Sequence, residues 1–186
     1  MIILFAVVVS FIVALLRGGQ LTRLADLNFR WRGVIIFGFL LQVLIFSGYW
    51  QAQLETKSLT PYIYVASMLI LVVALAKNLS IPGMPLLMAG LCLNSIAIIS
   101  NGGYMPASPE ALALAGKSFT LPGQVNNNSM VMGPSTQLFF LCDIFAIPKG
   151  FIFPNVFSIG DVLIGLGGVY LIQKVLVVAP KQQTAQ

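Results

Sequence analysis

Apolar residues fall into five long runs, separated by short polar connections and one long mixed segment. The runs are Met1–Leu16, Gly33–Trp50, Tyr62–Ala76, Met84–Ser100 and Val156–Val178. None alternates with the period of a half-buried strand, and each is apolar on all sides, the pattern of a helix buried in protein or lipid. Crossing ~30 Å of hydrocarbon at 1.5 Å per residue takes ~20 residues. Several runs fall short of that and need interfacial flanks to complete a crossing. The first run has neither a basic leading region nor a small-residue cleavage site, so it is expected to be a retained helix and not a signal peptide.

The connections carry their own signals. Gly18-Gly19 ends the first helix, and Ile81-Pro82-Gly83-Met84-Pro85 is a tight turn that starts the fourth. Between them, Arg17 to Arg32 mixes arginines with Leu21, Leu24, Leu27, Phe29 and Trp31, as expected of a short amphipathic segment in a headgroup layer. The long segment from Asn101 to Asn155 is too apolar to be disordered throughout. In it Ser108-Pro109-Glu110 opens a short helix, with Ser108 as N-cap. The polar stretch 124–129 is expected to be its mobile part, and Met130–Ile147 is apolar but broken at Gly133-Pro134. The whole is expected to be a re-entrant or interfacial cap.

The expected fold is therefore all-α: one membrane domain over residues 1–186, a polytopic transmembrane helical bundle of about five spans with an outer cap at 101–155. Composition agrees: 58% hydrophobic residues, 8% charged and a mean hydropathy of +0.94. The net charge of +5 does not call for nucleic acid. Arg17, Arg23, Arg30, Arg32, Lys77, Lys174 and Lys181, seven of the ten basic residues, fall on one side if the N-terminus is outside and the C-terminus cytoplasmic. Lipid is the expected partner, with other membrane subunits as a further possibility, and the location is a bacterial inner membrane.

Histidine is absent, which removes imidazole ligands for haem or catalytic zinc and the usual base of a Ser or Cys nucleophile. Cys92 and Cys142 lack metal-site spacing and read as small buried residues. No cofactor is expected. The chemistry that remains lies in two of the five acids, Asp143 and Asp161. Either could cap a helix N-terminus. If they share a site, one keeps its proton, and the pair can act as general acid and general base on a water. Two small, polar helix faces are expected to pack together near them: Gly90, Asn94, Ala97 and Asn101 on the fourth helix, and Ser158, Asp161, Gly165 and Gly168 on the fifth.

Leu16-Arg17-Gly18-Gly19, Asn101-Gly102-Gly103-Tyr104-Met105-Pro106, Met132-Gly133-Pro134, Asp143-Ile144-Phe145 and Asn155 through Val162 together resemble a bacterial membrane-protein family of unknown function. The last quarter of the chain also looks like the end of lipoprotein signal peptidase (signal peptidase II), a membrane aspartyl protease. Asp143-Ile144-Phe145 is similar to its aspartate-phenylalanine pair, and Phe157-Ser158-Ile159-Gly160-Asp161 to its Phe-Asn-x-Ala-Asp motif. Ser158 and Gly160 stand where that family has asparagine and alanine. No Asn-x-x-Asp-Arg precedes the first acid, and nothing near the N-terminus matches its substrate-binding aspartate and lysine.

This second resemblance implies a membrane-embedded aspartyl hydrolase-like protein, acting at the outer leaflet on a lipid-linked or membrane peptide. Asp143 and Asp161 would be catalytic, with Asn101, Asn155 and Ser158 orienting substrate or acids. The alternative is a non-catalytic accessory or scaffold subunit of a larger membrane complex, in which both aspartates are helix caps. A small transporter would need a polar path past Asn94, and a single intramembrane polar residue marks one.

Overall fold

Apolar runs without an interior proline propagate as helices, through glycines such as Gly38 and Gly90, until a residue of special backbone geometry stops them. The computed structural model describes residues 2–47, 50, 58–118 and 121–177. Its helices are α1 (Ile2–Leu16), a single turn α2 (Thr22–Ala25), α3 (Arg32–Ile45), α4 (Thr60–Ala76), α5 (Met84–Ser100), the short α6 (Pro109–Leu114) and α7 (Ile159–Val177). Met1, Gly48, Tyr49, Val178 and Lys181, which belong to the expected spans and the basic tail, lie outside the described residues.

α1 ends where Gly18 turns left-handed (φ +79°) and the Gly19 N–H reaches back to the Ala14 carbonyl at 2.9 Å. This glycine stop satisfies a carbonyl the helix would otherwise leave open. α5 starts from Gly83 (φ +86°) with a proline in its first turn.

The long helices pack as a row in the order α1, α7, α5, α4, α3. Ala14, Ile172 and Leu176 form the α1–α7 core. Ile45, Tyr64, Met68, Ala97 and Ile98 fill the space between α3, α4 and α5, and Met105 and Cys142 extend that core into the cap.

The expectation of an all-α bundle of about five spans is wrong on two counts. Of the described residues 58% are helical and 9% lie in strands, the strands forming two small sheets. Among the described residues only α7, at 19 residues, is long and apolar enough to cross a membrane; α1, α3, α4 and α5 are apolar helices of 10–17 residues. The glycine stop at Gly18-Gly19 and the turn before Gly83 close helices early. Seventeen residues at 1.5 Å each reach only ~26 Å.

The second departure is in residues 101–155. Strand β1 (Met105–Ala107) pairs in parallel with β3 (Ser129–Val131), and β3 pairs antiparallel with β2 (Val125–Asn126). The polar stretch expected to be mobile is the β2–β3 hairpin, closed over two residues with Asn127 at φ +59°. Asparagine accepts the left-handed backbone that two-residue hairpins require. Strands β4 (Phe145–Ile147) and β5 (Asn155–Phe157) form a second antiparallel pair. The cap has a core of its own, built mainly from Ala107, Ala111, Leu112, Ala115, Val131 and Val156. Ser108 caps α6 as expected, its Oγ accepting from the Ala111 N–H at 3.0 Å.

Candidate functional site

The site begins with a close approach of two helix backbones. Glycines at Gly83 and Gly90 of α5 and at Gly160 and Gly167 of α7 are each seven residues apart, so each pair returns to one helix face. In the fold Gly83 meets Gly167 and Gly90 meets Gly160. A side chain at any of the four would strike the backbone of the opposite helix. The expected α5–α7 face is correct for Gly90, Asn94, Ser158 and Asp161. It is displaced for the other two glycines: Gly165 faces open space and Gly168 faces Val7 of α1.

Glycine contact brings α5 near enough for its one central amide to reach the start of α7. Asn94 donates from Nδ2 to Asp161 Oδ1 at 2.9 Å, and its Oδ1 accepts from the Ser158 hydroxyl at 2.8 Å. Ser158 and Asp161 also bond reciprocally as a capping box. The Ser158 N–H donates to Asp161 Oδ2 at 3.2 Å, and the Asp161 N–H donates to Ser158 Oγ at 3.1 Å. Three side chains thus form a closed ring that fixes the first turn of α7 to the middle of α5. Both oxygens of Asp161 are occupied as acceptors.

Asp143 reaches the same region from the cap. Its backbone is held as an extra rung beside β1: its N–H donates to the Pro106 carbonyl at 2.9 Å, and its carbonyl accepts from the Ser108 N–H at 3.0 Å. The side chain is buried, 7% exposed, and its Oδ1 has no hydrogen-bond partner among the described residues. Burial first, and then the charge of Asp161, push its carboxyl up to about 8. At neutral pH Asp143 therefore holds its proton. The two acids sit within electrostatic reach of one another, and both lie near Tyr64 of α4, whose hydroxyl meets the Asn128 side chain at the hairpin turn. Beside Asp143, burial likewise pushes the Cys142 thiol up to about 11.

Asp161 is half-buried and lines a mainly apolar groove of about 180 Å³ between α1 and α7, together with Ile3, Ala6, Gly165 and Leu166. Of the other expected site residues, Ser158 belongs to the ring. Asn101 is instead a clasp on the cap backbone: its Oδ1 accepts from the Gln137 N–H at 2.8 Å and its Nδ2 donates to the Gln137 carbonyl at 3.0 Å. Asn155 sits in β5 opposite Ile147. Asn94, expected to be a packing residue, is the hub of the cluster, and Tyr64 has no sequence signal beyond an aromatic in an apolar helix.

No curated protein and no solved structure matches the chain, and neither comparison supports the expected likeness to lipoprotein signal peptidase. Residues 26–173, from the end of α2 through most of α7, match the family model described as "Family of unknown function (DUF5317)". That span holds Asn94, Asp143, Ser158 and Asp161, and the chain belongs to this family.

Proposed function

We propose that the protein is a membrane-embedded aspartyl hydrolase-like protein, acting at the outer leaflet on a lipid-linked or membrane-inserted peptide. The observation that carries this reading is the unequal pair of acids. Asp143 is buried, protonated and unpartnered at Oδ1, while Asp161 is held by Asn94 and Ser158 at the edge of an apolar groove. Two interacting carboxyls in unlike surroundings are the usual basis for dividing acid and base roles. Asp161 would take a proton from water as the resulting hydroxide adds to the scissile carbonyl. Asp143 would give its proton to the departing nitrogen. The likeness of the Asp143 and Asp161 motifs to lipoprotein signal peptidase supports a lipid-modified substrate.

Membrane location is part of the same proposal. It is supported by the length of α7 and by apolar side chains directed outward on α1 and α3, such as Leu4 at 59% and Val43 at 68% exposure. An N-terminus outside and a C-terminus in the cytoplasm is part of the same proposal, supported by the positive-inside bias of the basic residues.

The test is cleavage of a quenched fluorescent diacylglyceryl peptide by the protein reconstituted in phosphatidylethanolamine–phosphatidylglycerol vesicles. Turnover that disappears in both Asp143→Asn and Asp161→Asn supports the hydrolase; turnover surviving either change sinks it. One observation favours the accessory-subunit reading: the closed Asn94–Ser158–Asp161 ring is also what a purely structural staple would look like. In that case no cleavage occurs, and a membrane protein co-purifies in fixed ratio.

A further inference from the structure

At the opposite end of the helix row, away from the acids, a second cavity has a different character. It measures about 370 Å³ and lies between α3, the end of α4 and the start of α5. Phe29, Ile36, Phe39, Leu75 and Leu87 give it apolar walls, and Arg32 is its one charged lining residue. An apolar cleft with a single cation at its edge matches an amphiphile that has an anionic head.

The surrounding charge has the same sign. Residues 17–32 carry Arg17, Arg23, Arg30 and Arg32 against the single acid Asp26. Two of these arginines are already engaged. Arg17 donates to Gln173 Oε1 at 2.8 Å, and Arg23 donates to the Leu176 carbonyl at 2.8 Å, at the end of α7. Among the described residues the Arg30 and Arg32 guanidinium groups have no such partner. Lys77 joins them from the end of α4, its Nζ 5.6 Å from the Trp31 ring centroid.

The rim is also held in place. Buried Asn78, just past α4, accepts the Arg30 N–H at 2.8 Å and donates to the Arg30 carbonyl at 2.9 Å. This clasp holds Phe29 and Arg32 on either side of Trp31, which has φ +58°, a backbone conformation that costs a bulky residue energy. A headgroup-layer segment that only sought lipid in general would not need such a fixed geometry.

We infer that this cavity is a binding site for one anionic glycerophospholipid, with an acyl chain between α3 and α5 and its phosphate against Arg32, Arg30 and Lys77. The site rests on the membrane location proposed above and not on the acid pair. It differs from the general attraction of basic segments to anionic lipid because it predicts one retained molecule and a chain requirement.

The experiment is native mass spectrometry of the full chain in detergent, with equimolar phosphatidylglycerol and phosphatidylcholine of identical chains. The wild type should retain one phosphatidylglycerol in preference to phosphatidylcholine. Arg32→Gln should weaken that retention about fivefold, the loss of one cation near a lipid phosphate, and Arg32→Lys should keep most of it. Ile36→Trp should lower retention of both lipids by filling the cleft while leaving the charges in place; far-UV circular dichroism checks that each variant is folded.

Equal retention of the two lipids, or an unchanged preference in folded Arg32→Gln, overturns the inference. Displacement of the lipid by sn-glycerol 3-phosphate at matched concentration also overturns it, because the site would then read a free phosphate. Recovery of the chain with soluble proteins on cell fractionation would instead remove the membrane location itself.

Discussion

Asn94 and Asp161, 67 positions apart in the chain, are joined by a 2.9 Å hydrogen bond from the amide of α5 to the carboxyl group at the start of α7. The bond exists because glycines on both helices let the backbones meet beneath it, with Gly90 against Gly160. Asn94→Ala leaves the Ser158 hydroxyl proton without its acceptor and Asp161 Oδ1 without its donor, while the Asp161 N–H bond to Ser158 Oγ remains. The expected cost is about 1–3 kcal/mol of stability, seen as a lower thermal midpoint in detergent. Asn94→Asp should cost more, since it replaces the donor to Asp161 with a second acid.

The glycine contact can be tested separately. A Cβ at Gly167 would lie 2.7 Å from the Leu87 backbone nitrogen and 2.8 Å from the Gly83 carbonyl oxygen, whereas one at Gly165 meets nothing within 4 Å. Gly167→Ala should destabilise by roughly 1–3 kcal/mol through overpacking. Gly165→Ala should be neutral or stabilising by up to about 1 kcal/mol, since alanine favours helix. Similar losses at both positions in a thermal melt would show that the helices do not meet at the Gly83–Gly167 pair.

Asp143 makes stability depend on pH in an unusual direction. Its carboxyl is raised in the fold from 3.8 to about 8, so between those values the folded chain binds more protons than the unfolded one. Stability from this group is complete below pH 4 and is lost as pH climbs through 8. The slope is at most about 1.4 kcal/mol per pH unit. Asp143→Asn should flatten that slope and raise the thermal midpoint at pH 8. A wild-type midpoint that rises steadily from pH 5 to pH 8, with no difference in the variant, would contradict the buried acid.

Cys142 should be inert while the protein is folded. It is fully buried and its thiol is pushed up to about 11, so almost no thiolate is present at pH 7.5. N-Ethylmaleimide followed by peptide mapping should leave Cys142 unmodified in the native protein and label it after denaturation. Rapid native labelling would mean that the cap opens readily above the α4–α5 core.

The sequence alone determined where the long helices lie, because unbroken apolar runs can satisfy their backbone groups only within the helix, and Gly18-Gly19 and Gly83 mark the end of α1 and the start of α5 by local geometry, as Ser108 marks the start of the short α6. It also placed Asn94, Ser158 and Asp161 on faces that meet, since polar side chains on otherwise apolar helix faces have few other partners. Membership of an uncharacterised family was readable too, from motifs between Asn101 and Val162, within the matched residues 26–173.

Only the tertiary structure decided what residues 101–157 become. Strands of two or three residues carry no detectable period, and their pairing joins positions far apart, as Met105 with Ser129. The same holds for the choice of Gly160 and Gly167 over Gly165 and Gly168 as the contact glycines: on one helix several glycine spacings are compatible with a face, and the partner's backbone selects among them. Burial of Asp143 belongs here too. The energy of a carboxyl is set by what surrounds it, and its surroundings come from β1, the start of α7 and Tyr64 of α4, which meet only when the chain folds.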